Sequence, residues 1–437
     1  MHLYMSGTPK NDAFQAIENQ VCSQRLFSMH GAYAPEVMKW LGMVKAGVRT
    51  FDDYCQYEPR AIARLEQKDQ EQQALLVQRG IEDEWVPYAE ALRAASQSRT
   101  PSCPSHMMLD SGAFTAWNAS ASVTLDEVKS AYSRFLTEAD GLFEEIWLIN
   151  LDVIPGEKDR DPTPQEFQTA IQESDRNLAA LSAEFGDCVL PVFHQGEGQQ
   201  RLLDVVNQAK GYLCLSPNNK KPEGERWRWA QLARTALHDL ACNVQTHGLA
   251  TTGNDMIREA HLMSGDSAAW NEHGFYGAVD LVEDETYPQD KFNLVKLENG
   301  ELDRAGEHIV ERSRLRYRGY HIGVEMDDYD LKSQSKMISN DRNVSFLPKR
   351  KREWVRAKVE SYFPWTLALT DQRARSLICM GELRTFAESF EWRPPGVRQY
   401  DGAGKVLLPP FSEVVRTYPT QEDRARFLSD QIYDGRL

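Results

Sequence analysis

The chain has 437 residues, which is enough for one large domain with a smaller one, or for two to three ordinary domains. Its 41% hydrophobic and 26% charged residues are typical of a globular protein, and no apolar run approaches the roughly 18 residues of a membrane-spanning helix. The net charge of −15 argues against a protein that coats nucleic acid nonspecifically, although it is compatible with a local basic groove.

The N-terminal sequence MHLYMSGTPKND lacks the basic segment and apolar core of a signal peptide, so we expect the protein in the cytoplasm. The seven cysteines are odd in number and contain no CxxC or CxC pair. This spacing disfavours both a disulfide framework and a structural zinc site. The cysteines are therefore interpreted as small core residues in a reducing compartment.

Short β-type runs alternate with amphipathic helical runs through the first part of the chain. The predicted strands are Leu3–Ser6, Arg25–Met29, Met107–Asp110, Ile146–Asp152, Val189–Phe193, Tyr212–Ser216, Asn243–Thr246 and Leu262–Asp266. The predicted helices are Thr124–Thr137, Pro164–Phe185, Gln199–Ala209 and Arg226–Leu240. Thr124 and Glu127 resemble a capping box at the start of the first of these helices. The segment Asp52–Ser98 is predicted to be a helical insertion after the second strand.

Alternation of strands and helices favours a parallel sheet. Eight such units in about 270 residues predict an α/β fold, a (β/α)8 TIM barrel, with a doubly wound open sheet as the alternative. We therefore assign residues 1–281 to the barrel domain. Residues 282–437 are assigned to a C-terminal α+β region that faces nucleic acid.

The C-terminal region contains a hairpin-like stretch, Phe292–Leu302. Two concentrations of basic residues follow this stretch. The first, on one face of a predicted strand, comprises Arg312, Arg314, Arg316 and Arg318. The second, in a run interleaved with aromatic residues, comprises Lys349, Arg350, Lys351, Arg352 and Arg356. Such a run is either a solvated helix face or a surface that contacts phosphates and stacks on bases. Both interpretations stay open.

Polar residues and small turn residues recur where the predicted strands end. They are Asp110, Ser111, Gly112, Asp152, His194, Gln195, Ser216, His247, Gly248 and Asp266. Each alone is explained as a cap or turn residue, but their recurrence favours one site, because reactive groups of barrel enzymes lie at the C-terminal ends of the strands. Paired carboxylates suit chemistry at an anomeric carbon, where one attacks or stabilises the carbon and the other moves protons. Crowding of like charges is expected to raise the pKa of at least one of them.

The motifs LDSGAF, NLDVIPG, VFHQGE, HGLATTG and SGDSAAW, in this order, resemble those of the tRNA-guanine transglycosylase superfamily. They are most similar to its DNA-modifying branch, the 7-deazaguanine DNA transglycosylases of phages and bacteria. The resemblance covers about residues 1–281. It implies a TIM barrel that exchanges guanine for a 7-deazaguanine, such as preQ0, through a covalent enzyme–nucleic acid intermediate.

The same resemblance implies a role for each matched residue. Asp266 matches the nucleophile and Asp110 matches the acid/base residue. Asp152 and Gln195 match the residues that grip the purine, and Gly248 matches the turn glycine whose backbone lies against the base. The neighbouring residues expected to bind substrate are Ser111, Gly112, His194, Ser216 and His247.

Two departures from the superfamily bear on the substrate. The tRNA enzymes have DSGG where this chain has DSGA at 110–113, and they carry a CxCxxC-plus-His zinc site that this sequence cannot build. The expected partners are therefore double-stranded DNA and a 7-deazaguanine base, with no metal, redox cofactor or nucleoside triphosphate. The alternatives are exchange on tRNA, a barrel glycoside hydrolase that uses Asp110 and Asp266, and a nucleic-acid-binding protein built on an inactive barrel.

Overall fold

The computed structural model describes residues 1–31, 33–119, 121–156, 160, 162–239, 244–260, 262–288, 294–296, 302–304, 315–322 and 343–390. Within these ranges, parallel strands form the barrel. They are β1 (His2–Ser6), β2 (Gln24–Ser28), β3 (His106–Asp110), β4 (Glu145–Ile149), β5 (Val189–Leu190), β6 (Val192–His194), β7 (Tyr212–Ser216), β8 (Gln245–Gly248) and β9 (Ser264–Ser267). They are hydrogen-bonded in the order β5-β4-β3-β2-β1-β9-β8-β7-β6.

The segments β5 and β6 are the two halves of one barrel strand, since only Pro191 separates them. Proline has no amide hydrogen to donate to a neighbouring strand, which interrupts the ladder at this residue. The first half pairs with β4 and the second half pairs with β7. The sheet therefore closes into a ring of eight strands in which β9 returns to β1. The predicted TIM barrel is confirmed, and the doubly wound open sheet is wrong.

Helices surround the barrel. They are α1 (Gln15–Val21), α2 (Ala34–Lys45), α3 (Phe51–Tyr57), α4 (Ala61–Arg79), α5 (Tyr88–Gln97), α6 (Ala113–Asn118), α7 (Leu125–Glu138), α8 (Pro164–Phe185), α9 (Gln199–Gln208), α10 (Glu223–Asp239), α11 (Asn254–Glu259), α12 (Ala269–Phe275), α13 (Lys349–Glu360), α14 (Trp365–Thr370) and α15 (Gln372–Glu388). The predicted helical insertion contains α3, α4 and α5. The capping box predicted at α7 is present, with Glu127 N–H donating to the Thr124 hydroxyl and Thr124 N–H donating to the Glu127 carboxylate. Among the residues that the structure describes, no helix is long and apolar enough to span a membrane.

The inner side chains of the barrel change from apolar to polar towards one end. The apolar inner cluster comprises Tyr4, Leu26, Met108, Ile149, Leu190, Val192, Tyr212 and Cys214. Side chains alternate along a strand with a period of two, so the next inward position lies two residues further on. Asp110 follows Met108, His194 follows Val192 and Ser216 follows Cys214 in this way. The C-terminal mouth of the barrel is therefore lined by polar groups above an apolar floor.

The described part of the C-terminal region packs against the barrel. Its strands are β10 (Ala278–Glu283), β11 (Leu294–Lys296), β12 (Leu302–Arg304) and β13 (Arg316–His321), paired antiparallel as β10 with β13 and β11 with β12. Helix α15 contacts β1, β10 and α12. At its start, Arg373 forms ion pairs with Asp12 (2.9 Å) and Glu18 (2.7 Å). The boundary predicted after residue 281 thus lies inside a strand, and residues on both sides of it share one hydrophobic core.

Candidate functional site

Three carboxylates lie together at the C-terminal mouth of the barrel. Asp110 ends β3, Asp266 lies in β9, and Asp152 lies in the loop after β4. Asp110 is partly exposed, whereas Asp152 and Asp266 are buried. Burial and the charges of Asp152 and Asp266 raise the pKa of Asp110 to about 7, against the lowering effect of a hydrogen bond from Gly112 N–H. Burial is the largest cause of this shift, and the two neighbouring carboxylates add the upward shift expected from crowding.

Asp152 is paired with His194. The strand predicted to run to Asp152 ends at Ile149, and the Asp152 N–H donates to the Asn150 carbonyl at 2.9 Å, which turns the backbone out of the sheet. The His194 Nε2 lies 3.0 Å from Oδ2 of Asp152. Burial lowers the pKa of His194, but the carboxylates of Asp152 and Glu197 outweigh it, so the pKa of His194 is raised. When His194 is protonated, its imidazole offsets part of the negative charge of Asp152 at the barrel mouth.

Asp266 is oriented by the strand beside it. Its Oδ1 accepts a hydrogen bond from Ala250 N–H at 2.9 Å. Ala250 has a φ of 53°, a left-handed conformation that is uncommon for a residue with a Cβ. The Nε2 of His247 lies 3.4 Å from the same oxygen, and its Nδ1 contacts the Ser264 hydroxyl at 2.6 Å. The sequence predicts His247 as a substrate-binding residue. Its side chain is fully buried beside Asp266, and its Nε2 has no hydrogen-bond partner among the described residues.

Close packing at the wall of the site requires glycine at both predicted glycine positions. Gly112 has a φ of 83°, and its N–H donates to Oδ2 of Asp110 at 3.1 Å. A Cβ added to Gly112 would lie 2.6 Å from the Cβ of His30. A Cβ added to Gly248 would lie 2.2 Å from the Oγ1 of Thr251. Internal packing therefore explains both glycines without a bound base.

Replacing Gly112 with Ala is expected to lower the free energy of unfolding by about 2–5 kcal/mol, since left-handed backbone costs about 1–2 kcal/mol and overpacking adds about 1–3 kcal/mol. Urea-induced unfolding measures the loss. Gly80→Ala is the matched control, because Gly80 has the same left-handed backbone conformation (φ of 64°, ψ of 32°) with nothing within 4 Å of an added Cβ. The control should lose only the backbone part. Equal losses in the two variants would show that the contact with His30 has no energetic weight.

Ser111 and Ser216 occupy different surroundings. Ser111 is buried, and its hydroxyl accepts a hydrogen bond from Ala113 N–H at 3.4 Å, so its side chain holds the start of α6. Ser216 is partly exposed and lines a cleft beside the carboxylates. Of these two predicted substrate-binding residues, Ser216 is the one placed to meet a ligand.

This cleft has a volume of about 340 Å³. Its polar wall includes three predicted residues, His194, Gln195 and Ser216. Its apolar wall is formed by Phe114, Trp117, Ile154, Pro155, Pro162 and Phe167. The Oε1 of Gln195 accepts a hydrogen bond from Asn218 N–H at 2.9 Å, so the amide nitrogen of Gln195 can donate to a ligand. Flat apolar walls with a few convergent polar groups suit a planar heterocycle.

The aromatic residues of the cleft were not predicted from the sequence. Phe114 and Trp117 lie on α6 with ring centroids 6.0 Å apart, and Phe114 is 47% exposed. The ammonium of Lys220 lies 5.7 Å from the centroid of the Trp117 ring. The two aromatic residues are three apart in the segment AFTAW, so reading this segment as a helix would have placed them side by side.

The basic run predicted to contact nucleic acid lies on α13. Arg356 forms ion pairs with Glu84 at 2.7 Å and with Glu360 at 2.8 Å. Arg350 and Arg352 are exposed. Arg356 is therefore engaged within the protein, whereas the guanidinium groups of Arg350 and Arg352 face solvent.

The two lysines of the run also lie near other side chains. The Lys349 ammonium lies 3.8 Å from the Glu353 carboxylate, and the Lys351 ammonium lies 5.4 Å from the centroid of the Tyr287 ring. Trp354, which interrupts the basic run, is buried and so does not offer a stacking face to a base.

The predicted arginine strand is only partly within the described residues. Arg312 and Arg314 lie outside them. Arg316 is exposed on β13, and Arg318 lies 3.6 Å from the Glu283 carboxylate. The described part of this face thus presents one solvent-facing guanidinium and one that is close to a carboxylate.

The sequence comparisons add no assignment to this geometry. No protein-family model matches the chain, and no curated protein matches it. Within the described ranges, no group of three His, Cys, Asp or Glu side chains is arranged to hold a metal ion. The carboxylates and the adjoining cleft are therefore the features that indicate a function.

Proposed function

We propose that the protein is a DNA guanine transglycosylase, which exchanges guanine in double-stranded DNA for a 7-deazaguanine such as preQ0 or a derivative. The observation that carries the proposal is the group of three carboxylates, in which the pKa of Asp110 is raised to about 7. Base exchange at C1′ needs one group that attacks the carbon and another that both gives and takes a proton near neutral pH. Asp266 and Asp110 fit these two requirements.

In the first half-reaction, a carboxylate oxygen of Asp266 attacks C1′ while the C1′–N9 bond breaks. The bonding electrons leave with guanine, whose N9 takes the proton of Asp110. The hydrogen bond from Ala250 N–H holds Oδ1 of Asp266, which supports attack by Oδ2. In the second half-reaction, the incoming base gives its N9 proton to Asp110, its N9 attacks C1′, and the bond to Asp266 breaks.

Recognition of the base is assigned to the cleft beside the carboxylates. The C1′ of a stacked nucleotide is hard to reach, so the target guanosine must be flipped out of the duplex. Phe114 and Trp117 offer apolar faces to the flipped base, and the amide of Gln195 donates to an acceptor on its edge. Asp152 supplies an acceptor for the donor groups of the same edge. These contacts distinguish a purine-like base from a sugar ring.

The test is base exchange by the purified protein. Duplex DNA containing guanine is incubated with preQ0, digested and analysed for modified nucleosides by mass spectrometry. Incorporation into the duplex supports the proposal. Incorporation into tRNA instead would assign the RNA reaction, and hydrolysis of aryl glycosides without any nucleic acid would assign a glycoside hydrolase. A protein that binds DNA but performs none of these reactions would be a binding protein on an inactive barrel.

DNA binding by this enzyme should depend on the exposed arginines of α13. The double variant Arg350→Ala/Arg352→Ala is expected to bind duplex DNA more weakly at low salt. The magnitude of the slope of log K against log salt should fall by about 0.9 for each lost phosphate contact. Fluorescence anisotropy across a salt series measures this slope.

Arg356→Ala is the matched control for that experiment, because Arg356 is already paired with Glu84 and Glu360. It should change the salt slope less than the double variant does. A double variant that binds like the parent at every salt concentration would identify α13 as a solvated face.

A further inference from the structure

A second polar cavity lies at the N-terminal end of the barrel strands, opposite the carboxylates. Its volume is about 580 Å³. Its walls include Ser23 and Ser105, which immediately precede β2 and β3, together with residues from the segment after α5 and from α15. Helix α15 therefore builds a compartment with the base of the barrel that is separate from the barrel mouth.

Arg99 lines this cavity, and its acceptors among the described residues are neutral. Its Nη1 donates to the Ala95 carbonyl and, at 3.3 Å, to the Ser98 hydroxyl. Among the described residues, no carboxylate lies within 4.0 Å of its guanidinium group. Burial lowers the pKa of Arg99, with Tyr362 opposing this effect. The rings of Tyr362 and Phe363 hold the guanidinium, with centroids 5.4 and 6.0 Å from its central carbon.

An arginine without a carboxylate partner is unexpected in this chain, which has 65 acidic and 50 basic residues. Taking a charged group out of water is unfavourable unless an opposite charge or hydrogen bonds compensate it. The partly buried Arg99 lacks the first kind of compensation among the described residues. An anionic ligand in the cavity would supply it.

Arg384 adds a second guanidinium group from α15. Its Nη1 donates to the Val21 carbonyl at 2.7 Å, and its Nε donates to the Glu388 carboxylate at 2.7 Å. Glu388 also lines the cavity, so one negative charge opposes an anion there. The Arg384 and Glu388 side chains are 36% and 52% exposed, and an exposed ion pair contributes little free energy. The two guanidinium groups therefore outweigh the one carboxylate, and these three side chains together carry a positive net charge.

We propose that this cavity binds the phosphate group of a small organic ligand, with Arg99 and Arg384 contacting its oxygens. The guanidinium fork matches the geometry of phosphate oxygens, and Thr100 and Ser102 in the same wall add hydroxyl donors. A volume of about 580 Å³ accommodates a ligand between a sugar phosphate and a nucleotide in size. The three carboxylates are not part of this cavity. Phosphate binding here is therefore independent of the proposed base exchange.

Calorimetric titration of the full chain tests the proposal, with inorganic phosphate and ribose 5-phosphate as probes and ribose at matched ionic strength as the neutral control. Both phosphates should bind at one site, and ribose should not bind. Arg99→Gln should weaken phosphate binding about tenfold or more, which corresponds to about 1.4 kcal/mol. Arg93→Gln, which removes an arginine of the preceding helix α5 that is already paired with Asp52 at 2.9 Å, should leave binding unchanged.

A second variant separates binding from folding. Thr385 is an exposed residue of the cavity wall, so Thr385→Glu adds a carboxylate there and leaves Arg99 in place. It should abolish phosphate binding while keeping the circular dichroism spectrum and Tm of the parent. The proposal is overturned if the parent binds neither phosphate at about 10 mM. It is also overturned if Thr385→Glu binds both probes like the parent.

Discussion

Replacing Asp266 with Asn is expected to abolish base exchange and the denaturant-stable protein–DNA adduct. The amide of Asn is nearly isosteric with the carboxylate, so Ala250 N–H keeps its acceptor and the barrel remains folded. The neutral amide does not attack C1′, however. Loss of a covalent nucleophile lowers kcat by about 10⁴-fold or more in well-studied enzymes. Exchange should therefore fall below detection.

Denaturing gel electrophoresis of the protein after incubation with labelled duplex measures the adduct, and thermal unfolding checks the fold. Asp255→Asn is the matched control, because Asp255 lies on α11, the helix that follows β8, with its carboxylate 3.9 Å from Arg258. This control should keep the adduct and the exchange rate of the parent. Normal adduct formation by Asp266→Asn would reassign the nucleophile to Asp110 or Asp152.

The barrel and the positions of the polar groups at its mouth could be predicted from strand patterning. Met108 and Asp110 are two residues apart, as are Val192 and His194, so both polar groups share the inner face with apolar residues. Closure of the sheet then brings strand ends that are far apart in sequence to one mouth. The pKa of Asp110 is raised by its burial and by the charges of Asp152 and Asp266 that this convergence brings near.

The contacts that orient these groups could not be predicted in this way. The pairing of Asp152 with His194 depends on a turn that leaves the sheet after Ile149. The position of His247 beside Asp266 depends on β8 extending to Gly248, two residues beyond its predicted end. Both are tertiary effects, in which backbone geometry at a strand end decides which side chain faces the barrel mouth.

The packing of the C-terminal region depends on contacts between residues more than three hundred positions apart. Arg373 pairs with Asp12 and Glu18, and the Met1 amino group donates to the Phe390 carbonyl at 2.6 Å. Local sequence carries no signal for such pairs. The predicted separation into a barrel and a nucleic-acid-facing region therefore could not anticipate that α15 packs on the barrel.

Replacing Asp110 with Asn is expected to stabilise the fold at pH 8 while removing the proposed acid/base group. The pKa of Asp110 is about 7 in the folded protein, and an unfolded Asp titrates near 3.9. Between these values the folded state binds the proton more strongly, so stability from this group is full below about pH 4 and is lost as pH rises through 7. The difference corresponds to about 4 kcal/mol, and solvent at the barrel mouth lowers it to a few kcal/mol.

The variant should therefore have a higher free energy of unfolding than the parent above pH 7, and the two should converge towards pH 4. Urea-induced unfolding at several pH values measures the difference. Asp53→Asn is a control of opposite sign: burial raises the pKa of Asp53, but hydrogen bonds from Arg49 and Thr50 outweigh burial and lower it. That variant should be less stable than the parent at neutral pH, with a gap that closes in acid. A constant difference between parent and Asp110→Asn across this range would contradict the raised pKa of Asp110 that burial and the charges of Asp152 and Asp266 produce.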